Sequence, residues 1–315
     1  MGRSAPSSEV FVAAEQEFAR RLGLDVRERT VELAGPIVRA RVLESGEGTP
    51  LFFVHGGGGF ASQWYPLMAE IAGRRLVAVD RPGCGLSDEF DYDGCADPRA
   101  HAVEFLAGVL EALELGAVDI VANSMGGLWS LWLALDAPER VRSLALVGCP
   151  ALVVGTSAPW FMRVMTRAPL RRALTKGMEG PTTPSQMRRG LKMTLGHDPE
   201  TIEAASPGVS ELLAAASTIP GAAASFTSLL HRVLRLRGAR PDCALTADQL
   251  QVLAVEPLIV WGARDPFGDE AAARRLAAAT AGRLHMAGAG HLPWLDDPAR
   301  VAGLITTHLA DQTTH

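Results

Sequence analysis

Short apolar runs alternate with helical stretches through most of this 315-residue chain. Six such runs, most of them bounded by glycine or aspartate, span residues 51–54, 76–79, 118–122, 144–147, 257–261 and 283–286. Runs that are apolar on both faces suit the strands of a parallel sheet that helices cover on both sides. Strands and helices that alternate in this way build right-handed βαβ units. The sequence therefore predicts an α/β fold with a mostly parallel central sheet flanked by helices.

The alternation stops between residues 150 and 245, which are rich in alanine, methionine and arginine. This stretch holds five of the nine methionines and several helical patterns, but no good strand pattern. We interpret residues 150–245 as a helical lid and call them the lid segment. The core into which the lid is inserted then comprises residues 29–149 and 246–315.

The N-terminal part of the chain follows a different pattern. Residues 9–24 have a weak helical pattern that ends near Gly23, and residues 1–28 form a predicted helical extension. Two strand-like stretches, 29–34 and 37–43, come next and are separated by a Gly-Pro pair. Because such pairs mark turns, the sequence predicts an antiparallel hairpin ahead of the parallel strands.

Composition and charge argue against several classes of function. A formal net charge of −5 gives no overall attraction to nucleic acid or to an anionic membrane. The polar N-terminus lacks the apolar core of a signal peptide, and no apolar run approaches the ~18 residues that span a bilayer. We therefore expect a cytoplasmic monomer or homodimer that acts on a small molecule. The four cysteines form neither a CxxC motif nor a Cys/His cluster, so no metal, cofactor or disulfide framework is predicted: Cys84, Cys95, Cys149 and Cys243.

The strongest local signal is Ala-Asn-Ser-Met-Gly-Gly at residues 122–127, between an apolar strand and a helical stretch. A serine at a sharp strand-to-helix turn adopts a strained backbone conformation that exposes its hydroxyl above the sheet. The residues two before and two after it must be small, and Ala122 and Gly126 satisfy this. The pattern predicts that Ser124 is a catalytic nucleophile.

A second signal, His-Gly-Gly-Gly-Gly at residues 55–59, directly follows the first predicted core strand. Consecutive glycines let backbone N–H groups approach a ligand oxygen closely. Acyl transfer needs two such donors for its oxyanion, one in this loop and one after the nucleophile. We assign them to Gly57 and Met125, with Gly58 as the alternative to Gly57. His55 is interpreted as a structural residue that holds the loop.

Two further polar residues follow late strands. Glycines flank His291, and Asp265 lies just past the strand that ends near residue 261. The chain order Ser124, Asp265, His291 is the order that one large class of α/β enzymes uses for a Ser-His-Asp triad. Asp296 and Asp297 open the last predicted helix and are expected to cap its N-terminus instead.

Together these motifs resemble those of the α/β-hydrolase fold superfamily over residues 30–310. The stretch 79–87 is similar to the Asp-x-Pro-Gly-x-Gly-x-Ser loop of many lidded members, and the lid segment lies where the family commonly inserts its cap. The Asn-Ser-Met-Gly-Gly motif is shared with C–C bond hydrolases of aromatic ring-cleavage products and with esterases. Leu292 and Phe60 stand where the C–C hydrolases usually have Trp and Pro-Gly.

The resemblance implies a cofactor-free serine hydrolase that cleaves an ester, lactone or related acyl bond through an acyl-enzyme. Ser124 argues against haloalkane dehalogenase and epoxide hydrolase chemistry, which uses an aspartate nucleophile. The alternatives within the fold are a C–C bond hydrolase and a biosynthetic lyase or acyltransferase. A non-catalytic ligand receptor is the alternative outside enzymes.

The start of the lid segment offers candidate substrate contacts, which could equally pack on the core: Trp160, Phe161, Met162 and Met165. Arg163, Arg167 and Arg171 are four residues apart and would share one face of a continuous helix. A solvated surface is the favoured interpretation of this basic face. The other interpretation is a pocket that selects an acidic substrate.

Overall fold

The computed structural model describes residues 6–35, 39–156 and 158–312. Its strands are Arg27–Glu32 (β1), Arg39–Ser45 (β2), Thr49–Val54 (β3), Arg74–Val79 (β4), Val118–Ala122 (β5), Val141–Val147 (β6), Leu234–Arg235 (β7), Gly238–Ala239 (β8), Leu258–Gly262 (β9) and Arg283–Ala287 (β10).

The α-helices are Pro6–Arg21 (α1), Tyr65–Ala69 (α2), Pro98–Ala112 (α3), Ser124–Asp136 (α4), Trp160–Val164 (α5), Ala168–Met178 (α6), Pro184–Leu195 (α7), Pro199–Ala205 (α8), Val209–Ala216 (α9), Ala222–Val233 (α10), Ala247–Leu250 (α11), Glu270–Thr280 (α12), Pro293–Asp296 (α13) and Pro298–Gln312 (α14). Short 3₁₀ turns occupy Ala61–Trp64, Tyr92–Gly94 and Pro138–Arg140. In the described part of the chain, no helix is both long and apolar enough to cross a bilayer.

Eight strands form one sheet in the order β1-β2-β4-β3-β5-β6-β9-β10. Strand β2 is antiparallel to both of its neighbours, and the other adjacent pairs are parallel. The predicted mostly parallel α/β sheet is therefore confirmed. The predicted hairpin is formed by β1 and β2, although positions 37 and 38 of its second stretch lie outside the described residues.

Helices cover both faces of the sheet, as the doubly apolar strands require. In β3, Phe52 and Val54 face a core shared with α3, α4 and α12. The alternate residues Leu51 and Phe53 face a second core, shared with α1, α2 and α14. All four side chains are fully buried. The parallel strands therefore end at one sheet edge with their side chains held from both sides.

A buried ion-pair cluster fastens α1 to the sheet. The guanidinium of Arg41, on β2, pairs with Glu15 of α1 and with Asp80, which follows β4. Asp80 also accepts hydrogen bonds from the backbone N–H groups of Ala61 (2.6 Å) and Leu86 (3.0 Å). Burial raises the pKa of both carboxyl groups, against the opposing effect of Arg41. The cluster fixes the loop after β4, which borders the site described below.

The lid segment contains helices α5 to α10 and a hairpin of the two-residue strands β7 and β8, which the sequence did not predict. Helix α10 packs against α6 and against the 3₁₀ turn Tyr92–Gly94 of the core, and α9 packs against α1 and α7. These helices lie over the carboxyl edge of the sheet, where they form one wall of a cavity. The division of the chain into extension, core and lid stays a prediction.

Candidate active site

Ser124 begins α4 directly after β5, and its φ of +52° lies in the left-handed region. Its carbonyl oxygen accepts a hydrogen bond from the backbone N–H of Ala151 (2.9 Å). A Cβ at Gly126 would overlap the carbonyl oxygens of Val54 and His55, so this turn lies against the end of β3. The close approach explains why the second residue after the serine must be glycine.

The glycine loop lies beside this turn. Gly57 and Met125 both line the cavity that contains Ser124, and a Cβ at Gly57 would lie 4.0 Å from Cβ of Met125. Met125 is the second residue of α4, where backbone N–H groups have no acceptor within the helix. The ring of Phe226, from α10, covers the loop, 3.4 Å from the position of a Cβ on Gly57. The two predicted oxyanion donors are thus neighbours on one cavity wall.

His55 and Arg81 hold the glycine loop from behind. The imidazole Nδ1 of His55 donates to the carbonyl of Gly56 (2.8 Å), and its Nε2 accepts from the backbone N–H of Arg81 (3.0 Å). The Arg81 guanidinium in turn donates to the carbonyls of His55, Gly56 and Gly57. Burial, helped by the charge of Arg81, lowers the pKa of His55 well below its ordinary value. His55 is therefore a neutral residue that supports the glycine loop.

The structure brings Asp265 and His291 together. Nδ1 of His291 donates to Oδ2 of Asp265 at 2.8 Å, and both side chains are buried. The carboxylate is oriented by the backbone N–H groups of Cys149, 3.0 Å from Oδ2, and Phe267, 2.9 Å from Oδ1. With its proton on Nδ1, the imidazole has Nε2 free to act as a base in the cavity that Ser124 lines. Asp269, a second carboxylate that follows β9, instead caps the N-terminus of α12.

A second histidine positions the loop that carries His291. Nδ1 of His197, in the lid segment, donates to Oδ2 of Asp296 at 2.6 Å, and its Nε2 accepts from the backbone N–H of Leu292 at 3.1 Å. The backbone N–H of His291 donates to the carbonyl of Leu195 (2.9 Å). Asp296 therefore does not cap the last helix as predicted, because its carboxylate faces His197. Asp297 does cap it, accepting from the backbone N–H of Arg300.

Two residues that the sequence analysis missed also hold the site together. Nδ2 of Asn123 donates to the carbonyls of Val147 (2.7 Å) and His291 (3.1 Å), so it links the serine turn to the histidine loop. Phe267 stacks on the imidazole of His291, with ring centroids 4.2 Å apart. The position of Asn123 directly before the nucleophile is a usable sequence signal, whereas nothing in the sequence marks Phe267.

The cavity between the sheet edge and the lid helices has a volume of about 570 Å³. The lid side of its wall is mainly aliphatic and aromatic, with members such as Met162, Met187, Leu213, Phe226, Leu230 and Val233. A few hydroxyl and amide groups, among them Gln63, Thr182 and Thr194, add polarity. None of the described residues that line it is Asp, Glu, Lys or Arg. The cavity thus offers apolar surface and neutral hydrogen-bonding groups.

Only one of the four predicted substrate contacts lines the cavity. Met162 lines the cavity, while Phe161 and Met165 pack against the hydrophobic core of the molecule. Trp160 is 70% exposed and lies outside the cavity wall. The cause is local, because α5 is only five residues long and presents few of its side chains to the cavity.

The predicted basic face is not continuous. Helix α5 ends at Val164 and α6 begins at Ala168, so Arg163, Arg167 and Arg171 do not share one helix. Arg171 forms an ion pair with Asp93 at 2.6 Å, and the other two lie outside the cavity wall. The interpretation that these arginines face the pocket is therefore wrong.

Comparison with known proteins agrees with this architecture. The model of a family described as "Alpha/beta hydrolase family" matches residues 51–304. A 2-hydroxymuconate semialdehyde hydrolase from Pseudomonas sp. (strain CF600) is 31% identical over 296 residues, covering 89% of this chain and 93% of the relative. An enzyme of the same name from Pseudomonas putida is 33% identical over 283 residues, covering 87% and 91%.

Solved structures with the same fold include carboxylesterase CesB (YbfK) from Bacillus subtilis, with a TM-score of 0.73 at 19% identity and coverage of 98% of this chain and 99% of that one. The meta-cleavage product hydrolase CumD from Pseudomonas fluorescens IP01 has a TM-score of 0.69 at 23% identity, covering 90% and 97%. At these identities the structural similarity shows the fold alone. The family match and the two sequence relatives show that the chain belongs to the alpha/beta hydrolase family and is a hydrolase.

Proposed function

We propose that this hydrolase cleaves uncharged, largely apolar esters through a Ser124–His291–Asp265 triad. His291 takes the proton of the Ser124 hydroxyl as the oxygen attacks the ester carbonyl, and Asp265 stabilises the imidazolium that forms. The N–H groups of Gly57 and Met125 bind the oxyanion. His291 then protonates the leaving alcohol, and water, activated by the same imidazole, hydrolyses the acyl-enzyme.

The observation that carries this proposal is the absence of charged side chains from the described part of the cavity wall. A carboxylate that leaves water for a mostly apolar cavity loses its hydration, and no Lys or Arg of that wall compensates the loss. An uncharged ester carries no such penalty. The apolar wall contributed by α9 and α10 also favours an aliphatic or aromatic acyl chain.

Hydrolysis of a C–C bond next to a carbonyl group is the second candidate, because two relatives above 30% identity are named 2-hydroxymuconate semialdehyde hydrolase. Both reactions begin with attack on a carbonyl and use the same oxyanion donors. The two candidates differ in substrate charge, since a muconate semialdehyde carries a carboxylate. Substrate charge is therefore the property to test.

The test compares kcat/KM for p-nitrophenyl hexanoate, for its ω-carboxylate analogue and for 2-hydroxymuconate semialdehyde. We expect the neutral ester to be favoured over the anionic ester by more than about tenfold. Faster turnover of the semialdehyde than of either ester would overturn the ester assignment in favour of C–C hydrolysis. Equal rates for the two esters would remove the charge argument.

Ser124→Ala is the control for the mechanism, because it removes the nucleophile and leaves the cavity intact. We expect it to retain substrate binding but only the residual ~10³–10⁴-fold catalysis over water that the oxyanion donors and binding supply. A fluorophosphonate should label the wild-type chain and spare the variant. Tight ligand binding without labelling or product release would indicate a receptor instead.

The cellular setting is also part of the proposal. The four cysteines form no disulfide in the described part of the chain, and three of them are buried, which suits a reducing compartment such as the cytoplasm. We propose that the chain works there as a monomer or homodimer on a small-molecule substrate. Sedimentation velocity measures the oligomeric state directly, and a species larger than a dimer would contradict that part.

A further inference from the structure

Basic side chains are concentrated on the first three helices of the lid segment. Residues 160–195 contain eight Lys or Arg and a single acid, Glu179, which is a formal charge of +7 in a chain whose total is −5. In the described part of the chain, six of the eight basic side chains are exposed and outside any ion pair: Arg167, Arg172, Lys176, Arg188, Arg189 and Lys192. The net charge of the whole chain conceals this local surplus.

Large apolar side chains are exposed on the same helices. Seven large hydrophobic residues are exposed among those described, and four of them lie in this segment. Trp160 and Met193 are 70% and 69% exposed, and Leu170 and Met178 are exposed to a lesser degree. Apolar side chains interspersed with cations on helices are typical of surfaces that bind at a lipid–water interface.

The cavity opens to solvent beside this surface. Gly177 and Met178, at the end of α6, are exposed and also belong to the cavity wall. Helix α7 connects the two regions, because Met187 and Thr194 on one face line the cavity. Its basic residues and Met193 lie on the opposite, exposed face.

We propose that helices α5 to α7 bind the surface of an anionic lipid bilayer. The basic side chains pair with anionic headgroups, and Trp160, Leu170 and Met193 enter the interface. An apolar ester dissolved in the bilayer then reaches the cavity through its mouth at Gly177 and Met178. This last step rests on the proposed esterase function, whereas bilayer binding does not.

The exposed apolar side chains favour lipid over nucleic acid as the partner. A nucleic acid is bound mainly through its phosphates, which require cations but give Met193 or Leu170 no apolar environment. The headgroup region of a bilayer accommodates both, because it is charged outside and apolar a few ångströms below. A polar polyanion also has no reason to bind at the mouth of an apolar cavity.

The experiment measures co-sedimentation of the full chain with phosphatidylcholine–phosphatidylglycerol vesicles and with pure phosphatidylcholine vesicles. We expect binding to the anionic vesicles only, weakened by salt. Replacing three exposed basic residues of α7 (Arg188→Gln, Arg189→Gln and Lys192→Gln) should lower the partition coefficient at least about tenfold, because each Lys or Arg near the surface contributes roughly fivefold.

The matched control removes three exposed basic residues elsewhere, through Arg27→Gln and Arg29→Gln on β1 and Arg300→Gln on α14. It changes the net charge equally and should keep wild-type binding. Trp160→Ala should weaken binding most visibly at high salt, where the apolar contribution remains. All these variants should hydrolyse a water-soluble neutral ester at the wild-type rate, since none of the replaced residues lines the cavity.

Each unfavourable result has a separate meaning. Equal losses in the α7 variant and the control would overturn the proposed surface, as would equal binding to both kinds of vesicle. Binding to single-stranded DNA without binding to vesicles would replace lipid by nucleic acid. Because Ser124→Ala should bind vesicles like the wild type, failure of the esterase assay leaves the binding result standing, and failure of vesicle binding leaves the esterase proposal standing.

Discussion

At the scale of single residues, the candidate site depends on backbone positions that tolerate no extra atoms. Ser124 has a positive φ, which costs a non-glycine residue about 1–3 kcal/mol and persists only where the surroundings impose it. The backbone N–H of Asn123, the residue before it, donates to the carbonyl of Val54, and the hydrogen bond from Ala151 holds the carbonyl of Ser124. The end of β3 packs against Gly126, so the turn is confined on three sides.

We expect Gly126→Ala to destabilise the fold by several kcal/mol or to displace the start of α4, because its methyl group would overlap the carbonyl oxygens of Val54 and His55. Chemical denaturation and the rate of fluorophosphonate labelling measure the two effects. Gly108→Ala is the matched control on α3, where the nearest atom would be 3.6 Å away, and it should stabilise by up to about 1 kcal/mol. A stable, fully active Gly126→Ala protein would contradict the packing at this turn.

Asp265 and Asp269, two carboxylates that follow β9, make a second residue-scale test. Both carboxylate oxygens of Asp265 accept hydrogen bonds from N–H groups. In Asp265→Asn an NH2 group replaces one oxygen, so a donor faces another donor. If that donor is His291, its imidazole is driven to the wrong tautomer. We expect acylation to slow by about 10⁴-fold, as in a triad. Asp269→Asn should keep its activity and nearly all of its stability, because asparagine caps helices as well as aspartate does. Stopped-flow measurement of the acylation rate of each variant tests this assignment. Slow acylation in Asp269→Asn together with normal acylation in Asp265→Asn would make Asp269 the triad acid.

At the scale of elements, the lid segment holds the loop that carries His291. The carbonyl of Leu195 accepts a hydrogen bond from the backbone N–H of His291. The imidazole of His197 accepts one from the backbone N–H of Leu292. Asp296 fixes the orientation of His197 from the other side. The stretch between α7 and α8 therefore has a role that its distance in sequence from the triad does not suggest.

We expect His197→Phe to lower kcat about 10- to 100-fold, because it leaves the backbone N–H of Leu292 without its acceptor and lets the His291 loop shift. It also leaves the buried carboxylate of Asp296 without its hydrogen-bond donor, which should cost about 1–3 kcal/mol of stability. His231→Phe is the matched control, since it breaks a partly exposed pair between this lid residue and Asp93 of the core. A drop in kcat for both variants would indicate general damage to the lid.

At the scale of the whole molecule, a buried cation and two imidazoles make stability depend on pH. Arg81 is fully buried, lies 4.8 Å from the ring centroid of Trp129, and is close enough to His55 and His101 to act on both. Burial, with a smaller effect of Arg81, lowers the pKa of His101 to about 4 from its ordinary 6.5. Just below pH 6.5 both histidines are neutral in the folded chain and take up a proton when it unfolds.

The direction in which stability changes with pH follows from this difference in proton uptake. Above pH 6.5 both states are neutral at His101, and between pH 6.5 and about 4 only the unfolded state is protonated. The contribution of His101 to stability is therefore present at neutral pH and lost as the pH falls, by about 3 kcal/mol at pH 4. Burial raises the pKa of Glu15 and Asp80, which act in the opposite direction, so the test must isolate one residue.

His101→Phe isolates it, because phenylalanine keeps the stacking on Phe90 and removes the titrating group. We expect the variant to match wild-type stability near pH 8 and to exceed it increasingly below pH 6.5. Urea denaturation at a series of pH values provides the comparison. Phe105→Leu, a packing change on the same helix, should shift stability equally at every pH. Parallel curves for the wild type and His101→Phe would contradict a neutral buried His101.

Local patterns in the sequence determine the sheet and the identity of the candidate triad. The apolar runs predict strands because burial on both faces requires apolar side chains at every position of a parallel strand. Strand ends, glycines and chain order then place Ser124, Asp265 and His291 at one edge, since parallel strands end on the same side. These inferences need only neighbours in sequence and a rule of topology.

Only the tertiary structure decides what surrounds those residues. The role of His197 and the pairing of Asp296 depend on contacts between residues 95 and 99 positions apart, which no local pattern encodes. The exposure of Trp160 is likewise set by how the lid helices pack. The uncharged cavity and the basic outer surface of the lid segment arise together on α7, because this helix turns Met187 and Thr194 toward the cavity and its basic residues to solvent. Composition averages these faces into a single net charge, and folding separates them.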